Sequence, residues 1–330
     1  DTHRIVFKSV SCSMYVSSVS LLWSVILLHV VALRFSRKTC DSSWPSSSRH
    51  DGIVGSITNA AVRHGELSGD IRNLFISPET NFAFCYIPKN GATSWTKLLN
   101  NINELNPSTP WRTDNYLVAQ KSQEKYGEAA RNKIFSDPTA TRAVFLRDPM
   151  ARFVSAFLGK CIASPQDNNC FDPSAPSRGH VFMRDAVEWA SERDMSAVEN
   201  PHWRLQIHHC GLRDHFDAYT HIGFITKDTY NSDAKCLLHH ADIDQYNTRE
   251  GKLLFDEGVK TKHHAKATES NDKEVEFLKS LFTKEAANRL YTSLASDYEF
   301  FHFSKPTWID TATGQYHNTT VPMNLVDTFF

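Results

Sequence analysis

Three short apolar, β-prone runs, at residues 82–87, 143–146 and 219–225, alternate with stretches in which apolar side chains recur at helical spacing. Those stretches are residues 93–101, 151–160, 181–192, 273–282 and 284–296. Strands alternating with helices predict an α/β domain, a parallel sheet flanked by helices, over residues 71–330. The first part of the chain has another pattern. From Val10 to Leu33 no residue is charged, and about 20 such residues suffice to cross a hydrocarbon core as a helix. Residues 10–33 therefore read as a transmembrane signal anchor behind a short cytoplasmic tail, residues 1–9. A Ser-rich stem or linker follows at residues 34–70. A cleaved signal peptide is the competing reading, disfavoured by the length of the apolar region.

Composition changes this picture little. The 330 residues are 41% apolar and 22% charged, enough for a sizeable core. The formal net charge is −1, so no nucleic-acid partner is expected, and any anion site must be a local cluster of basic side chains. Basic residues flank the anchor on both sides, Arg4 and Lys8 against Arg34, Arg37 and Lys38, and charge alone does not orient it. The cysteines supply the orientation. Six of them, Cys40, Cys85, Cys161, Cys170, Cys210 and Cys236, follow the anchor without metal-ligand spacing, and no metal site is expected. An even number suits an oxidising lumen, as does the N-glycosylation triplet Asn318-Thr319-Thr320. Cys161 and Cys170 are the most plausible local bridge. Cys85, inside a predicted strand, is equally open to being a buried free thiol.

Candidate chemistry begins at "CYIPKNGATSWTKLL", residues 85–99. A strand ending near Ile87, a turn through Pro88, Lys89, Asn90, Gly91 and Ala92, and a helix from Thr93 and Ser94 would aim free backbone amides at an anion. The triphosphatase pattern G-x-x-x-x-G-K-[ST] is absent, because Lys89 precedes the glycine and no Lys-Ser or Lys-Thr pair follows it. A metal-bound triphosphate is thus disfavoured. Alone, the turn fits an ordinary strand–helix connection with a solvated lysine equally well. The second stretch, "AVFLRDPMARFVSAFLGKC", runs from a strand into Arg147-Asp148-Pro149, with Arg152 and Ser155 on the following helix. Arg147 and Ser155 can converge beyond the strand as a guanidinium and hydroxyl clamp for a phosphate monoester. A local Arg147–Asp148 ion pair is the alternative.

Together the two stretches resemble the membrane-bound carbohydrate sulfotransferases, the group of the HNK-1 and chondroitin/dermatan 4-O-sulfotransferases. Pro88, Lys89, Gly91, Thr93 and Trp95 match that family's 5′-phosphosulfate loop. Arg147, Asp148, Pro149, Arg152, Ser155, Ala156 and Phe157 match its 3′-phosphate motif. His202, Trp203 and Gln206 are similar to its H-W-x-P-Q segment, and Tyr291, Asp297 and Tyr298 to its terminal pattern. Leu205 stands where the family usually has proline, and Cys210 alone remains of an expected cysteine pair, which marks a divergent member.

The resemblance implies a P-loop-like sulfotransferase fold. It also implies 3′-phosphoadenosine-5′-phosphosulfate (PAPS) as donor, a glycan acceptor and a single-pass type II Golgi membrane protein with a luminal catalytic domain. A protein-tyrosine sulfotransferase and a catalytically silent glycan-binding relative are the alternatives. Lys89 would meet the leaving oxygen, the loop from Asn90 through Ser94 the phosphosulfate, and Arg147 with Ser155 the 3′-phosphate. No histidine lies between His64 and His180, so His202 is the first candidate general base, with Glu188 and Glu199 in reserve. Lys262, His263, His264 and Lys266 are candidates for meeting an acidic glycan, or else form a solvated face.

Overall fold

In the computed structural model the described residues are 67, 69–103, 117–163, 170–171, 181–226, 229–249, 251–255, 270–323 and 325–326. The expected anchor, nearly all of the stem and residues 262–266 lie outside them. Among the described residues no helix is long and apolar enough to cross a membrane.

Strands β1 (Leu74–Ser77), β2 (Phe82–Cys85), β3 (Thr141–Leu146) and β4 (His221–Phe224) form one sheet in the order β1-β2-β3-β4. The pairs β2–β3 and β3–β4 are parallel, with Phe84 opposite Ala143 and Val144 opposite Ile222. Strand β1 pairs antiparallel with β2, so the sheet is mixed and not parallel throughout. It lies at the edge, where unpaired backbone invites association. Helix α2 (Leu117–Ser136) covers that edge: Ser122 Oγ accepts from Ile76 N at 3.1 Å, and Gln123 Nε2 donates to Leu74 O at 2.8 Å.

Both faces of the sheet are buried. Leu74, Ile76, Ala83, Cys85, Val144 and Leu146 enter one core, with α3 (Pro149–Phe157), α4 (Met183–Ser191), α6 (Ser270–Leu281), α7 (Lys284–Ser293) and α8 (Ala295–Phe300). Phe75, Phe82, Phe84, Ala143 and Phe145 enter the other, with α1 (Ala92–Ile102) and α5 (Tyr230–His240). Strands buried on both faces read as continuous apolar runs, which is why 82–87 and 143–146 stand out in the sequence.

The helices expected at 93–101, 151–160, 181–192 and 273–282 are present with shifted ends. The stretch at 284–296 is two helices, α7 and α8. Among the described residues two disulfides have both partners in or against the first core. Cys161 pairs with Cys170. Cys85 is no free thiol; it bonds Cys210, with a Cα–Cα distance of 5.7 Å. Cys236 is also disulfide-bonded.

Candidate active site

Parallel strands open their carboxyl ends into a common crevice, and α/β ligands bind there. The loops after β2 and β3 meet at that edge. Residues 86–91 carry the first loop into α1, whose N-cap is Gly91 at φ 69°, with no side-chain cap and no acidic residue in the first turn. The amides of Ala92, Thr93 and Ser94 are the first-turn donors that an α-helix leaves without intrahelical acceptors. Asn90 is different. Its amide donates to Ile87 O at 3.1 Å, and its side chain is 2% exposed, donating to Phe145 O at 2.8 Å and to Gln206 Oε1 at 2.7 Å. Asn90 therefore binds the loop to β3 through its side chain, and its amide is engaged within the turn.

Glycine at 91 has two causes. Its φ is left-handed, and a Cβ there would stand 2.0 Å from the hydroxyl of Tyr230 on α5, which donates to Gly91 O at 3.3 Å. Gly91→Ala is expected to displace the loop and lower the midpoint of thermal unfolding by several degrees while far-UV circular dichroism stays native, as scanning calorimetry will show. Trp95 is wholly buried, its ring 4.2 Å from that of Phe84 and 4.6 Å from Phe255, so it anchors α1 to the sheet.

After β3, Asp148 caps α3 by accepting from Ala151 N at 2.8 Å, and Pro149 occupies the first turn, where its missing N–H costs nothing. Arg147, half-buried, donates from Nη1 to Lys89 O at 3.1 Å, so the two loops touch. Its backbone is held by Gln206, which accepts from Arg147 N at 3.0 Å and donates to Arg147 O at 2.9 Å. Asp148 also accepts from Tyr298 Oη at 2.9 Å, and its charge acts on Arg147. Ser155 lies half-buried two turns along α3.

Arg152 does not face the crevice. It is 4% exposed, and its three nitrogens donate to Pro88 O at 3.1 Å, Arg204 O at 2.7 Å and Pro201 O at 3.0 Å. One guanidinium thereby joins the lysine loop to the segment carrying His202. In that segment Trp203 is a core residue, packed 5.1 Å from Phe153 and 5.7 Å from Trp189. Leu205 takes φ −56°, within proline's range, so the departure from the family's proline preserves the backbone path. Gln206 and Ile207 donate their amides to Asp297 Oδ2 and Oδ1 at 2.8 and 3.0 Å.

The electrostatics follow from this convergence. Lys89 holds φ 74°, a left-handed conformation costly for a side chain with a Cβ. Its ammonium is pulled down to about pKa 7, first by burial and then by the positive charges of Lys160, Arg147 and Arg152. Arg152 is lowered by burial to about 10, although Asp297 opposes the shift. Arg147 is lowered by burial, with Glu274 and Asp148 opposing. A chain of net charge −1 has concentrated four cations at one sheet edge. Lys160 and Glu274 were not singled out in the sequence; Lys160 lies at the end of the quoted second stretch, and Glu274 is more than 100 residues from either loop.

His202 belongs to the joined segment, and Asn200 Oδ1 accepts from its amide at 3.0 Å. Glu199 is exposed nearby in sequence. Glu188 is exposed on α4 and acts electrostatically on His317. Among the described residues no group of three or more histidine, cysteine or acidic side chains is arranged to hold a metal ion.

A sulfotransferase family profile matches residues 72–304. The chain is 24% identical over 313 residues to carbohydrate sulfotransferase 10 of Xenopus laevis, covering 86% of this chain and 78% of that one. It is 21% identical over 252 residues to carbohydrate sulfotransferase 9 of Homo sapiens, covering 72% and 54%. Over 106 residues it is 26% identical to carbohydrate sulfotransferase 12 of Mus musculus, covering 28% and 25%. No solved structure matches. With the profile spanning most of the chain and both anion-site loops, the chain belongs to the sulfotransferase family, as a divergent member.

Proposed function

We propose that the protein is a PAPS-dependent carbohydrate O-sulfotransferase of the Golgi lumen. The observation that carries this reading is the uncapped N-terminus of α1 beside four cations, in a turn without the residues that hold a metal-bound triphosphate. PAPS supplies an activated sulfuryl group whose transfer needs charge stabilisation on the leaving oxygen. The amides of Ala92, Thr93 and Ser94 fit the 5′-phosphosulfate, and the edge of Arg147 not bonded to Lys89, with Ser155, fits the 3′-phosphate. The acceptor oxygen attacks sulfur as the bond from sulfur to the bisphosphate oxygen breaks. His202 takes the hydroxyl proton, and the products are a sulfate ester and adenosine 3′,5′-bisphosphate. Pro88 supports this arrangement from behind, through its carbonyl bond to Arg152.

A glycan acceptor is supported by the similar proteins, which are named carbohydrate sulfotransferases. Luminal placement is supported by the Cys85–Cys210 and Cys161–Cys170 disulfides, by the exposed Asn318-Thr319-Thr320 triplet and by the apolar run at residues 10–33. Incubation with radiolabelled PAPS and a panel of desulfated glycans tests the reading. Labelled glycan together with released bisphosphate supports it; bisphosphate binding without release identifies a silent binder, and label on tyrosine a protein sulfotransferase. In the same assay Arg147→Ala and Ser155→Ala are expected to raise the KM for PAPS, Arg147→Ala by about tenfold to a hundredfold, the worth of a charge-assisted hydrogen bond. Unchanged donor KM in both variants overturns the 3′-phosphate assignment.

A further inference from the structure

We propose that the disulfide at Cys236 runs to Cys40, just past the apolar run, and straps the catalytic domain to the membrane through α5. This rests on the anchor and the luminal placement given above. The chain holds seven cysteines. Four of them are paired as Cys85–Cys210 and Cys161–Cys170. Cys236 is disulfide-bonded as well, so within this chain its partner is Cys12 or Cys40. Cys12 falls inside the uncharged run of residues 10–33, near its cytoplasmic end, where a thiol does not meet a luminal helix. Cys40 follows Leu33 by seven positions, on the luminal side. With this pairing every cysteine beyond the anchor has a partner. The two thiols give up two electrons and two protons to a disulfide of the secretory lumen, which is itself reduced to two thiols.

The burial of Cys236 agrees. It is 7% exposed, yet it belongs to neither of the cores that cover the two faces of the sheet. The stripe of α5 that enters the second core is Tyr230, Ala234, Leu237 and Leu238. At about 100° per residue, Cys236 points well away from the middle of that stripe. Its cover therefore comes from outside both cores, as a bonded stem would supply.

The bond changes what the stem does. Residues 34–70, tethered only at their ends, would let the domain stand up to about 130 Å from the membrane at ~3.3–3.6 Å per extended residue. A bond at Cys40 leaves seven residues, roughly 25 Å. The strap thus holds α5 beside the bilayer. Tyr230, whose hydroxyl meets Gly91 O, precedes Cys236 by six residues, about 9 Å along the same helix. The donor turn and the strap share one rigid element, so the crevice is kept in the layer next to the membrane.

The full chain, extracted in detergent and alkylated with N-ethylmaleimide before digestion, tests the pairing. Trypsin without reduction is expected to release residues 39–49 joined to residues 236–249, from a chain that runs at monomer size on a non-reducing denaturing gel. Cys40→Ser is expected to leave Cys236 open to maleimide once the chain is unfolded, whereas Cys12→Ser keeps the bond. Cys40→Ser and Cys236→Ser should each lower the midpoint of thermal unfolding by several degrees, and the double variant no further, because either change opens the same loop. Alkylated Cys236 in the parent, or Cys236 joined to the peptide of Cys12 or to a second chain, overturns the pairing. If Cys85, Cys161, Cys170 and Cys210 are alkylated as well, the luminal reading itself fails; intact bonds there with a free Cys236 sink the strap alone.

Discussion

Replacing Lys89 by alanine is expected to lower kcat about 10²- to 10³-fold, the usual effect of removing one preorganised group from developing negative charge. It should weaken bisphosphate binding by a smaller factor, because the charge on the leaving oxygen is greatest in the transition state. The parent's pH dependence carries the same information. In the free protein Lys89 titrates near 7, depressed by burial and by Lys160, Arg147 and Arg152, and a bound dianion raises that value. The depressed pKa belongs to the free state, so binding takes up a proton above pH 7. Affinity is then flat below about 7 and falls by up to tenfold per pH unit above it. Lys89→Arg, charged throughout, should flatten the profile. A profile that stays flat in the parent up to pH 9 would falsify the assignment of Lys89 to the anion.

His202→Ala is expected to lower kcat by roughly 10²- to 10⁴-fold on an acceptor that the parent sulfates, with bisphosphate affinity unchanged, since a general base touches only the acceptor. The separation from Lys89→Ala is the informative part: one variant loses turnover alone, the other turnover and donor affinity. Near-normal turnover in His202→Ala moves the base elsewhere. Glu199, three residues upstream, and Glu188 are then the next residues to replace.

The sequence made the anion loops legible because each is a local object. A strand buried on both faces, a turn and an amphipathic helix fit inside fifteen residues, and their periodicities change where the chemistry sits. Elements whose cause is not local were missed. Strand β1 is four residues, all buried, with no alternation to betray it. Helix α2 is rich in charge and interrupted at Gly127, φ 75°, so its apolar stripe never accumulates. Helix α5 shows weak segregation, yet its Tyr230 shapes the turn at Gly91.

The same distinction divides the site residues. Lys89, Arg147 and His202 became candidates by residue type in a local setting. That Asn90, Arg152, Gln206 and Asp297 spend their hydrogen bonds on the scaffold depends on partners from 49 to 116 residues away.

The Gln206–Asp297 and Asp148–Tyr298 bonds span 91 and 150 residues, and the later partner in each is on α8. During synthesis the lysine loop and the arginine segment emerge long before the helix that fixes them. A nascent chain that has reached residue 290 holds every cation of the donor site and lacks the carboxylate and phenol that arrange them. The arrangement of these cations is therefore expected to form as one of the last events of folding, when α8 docks.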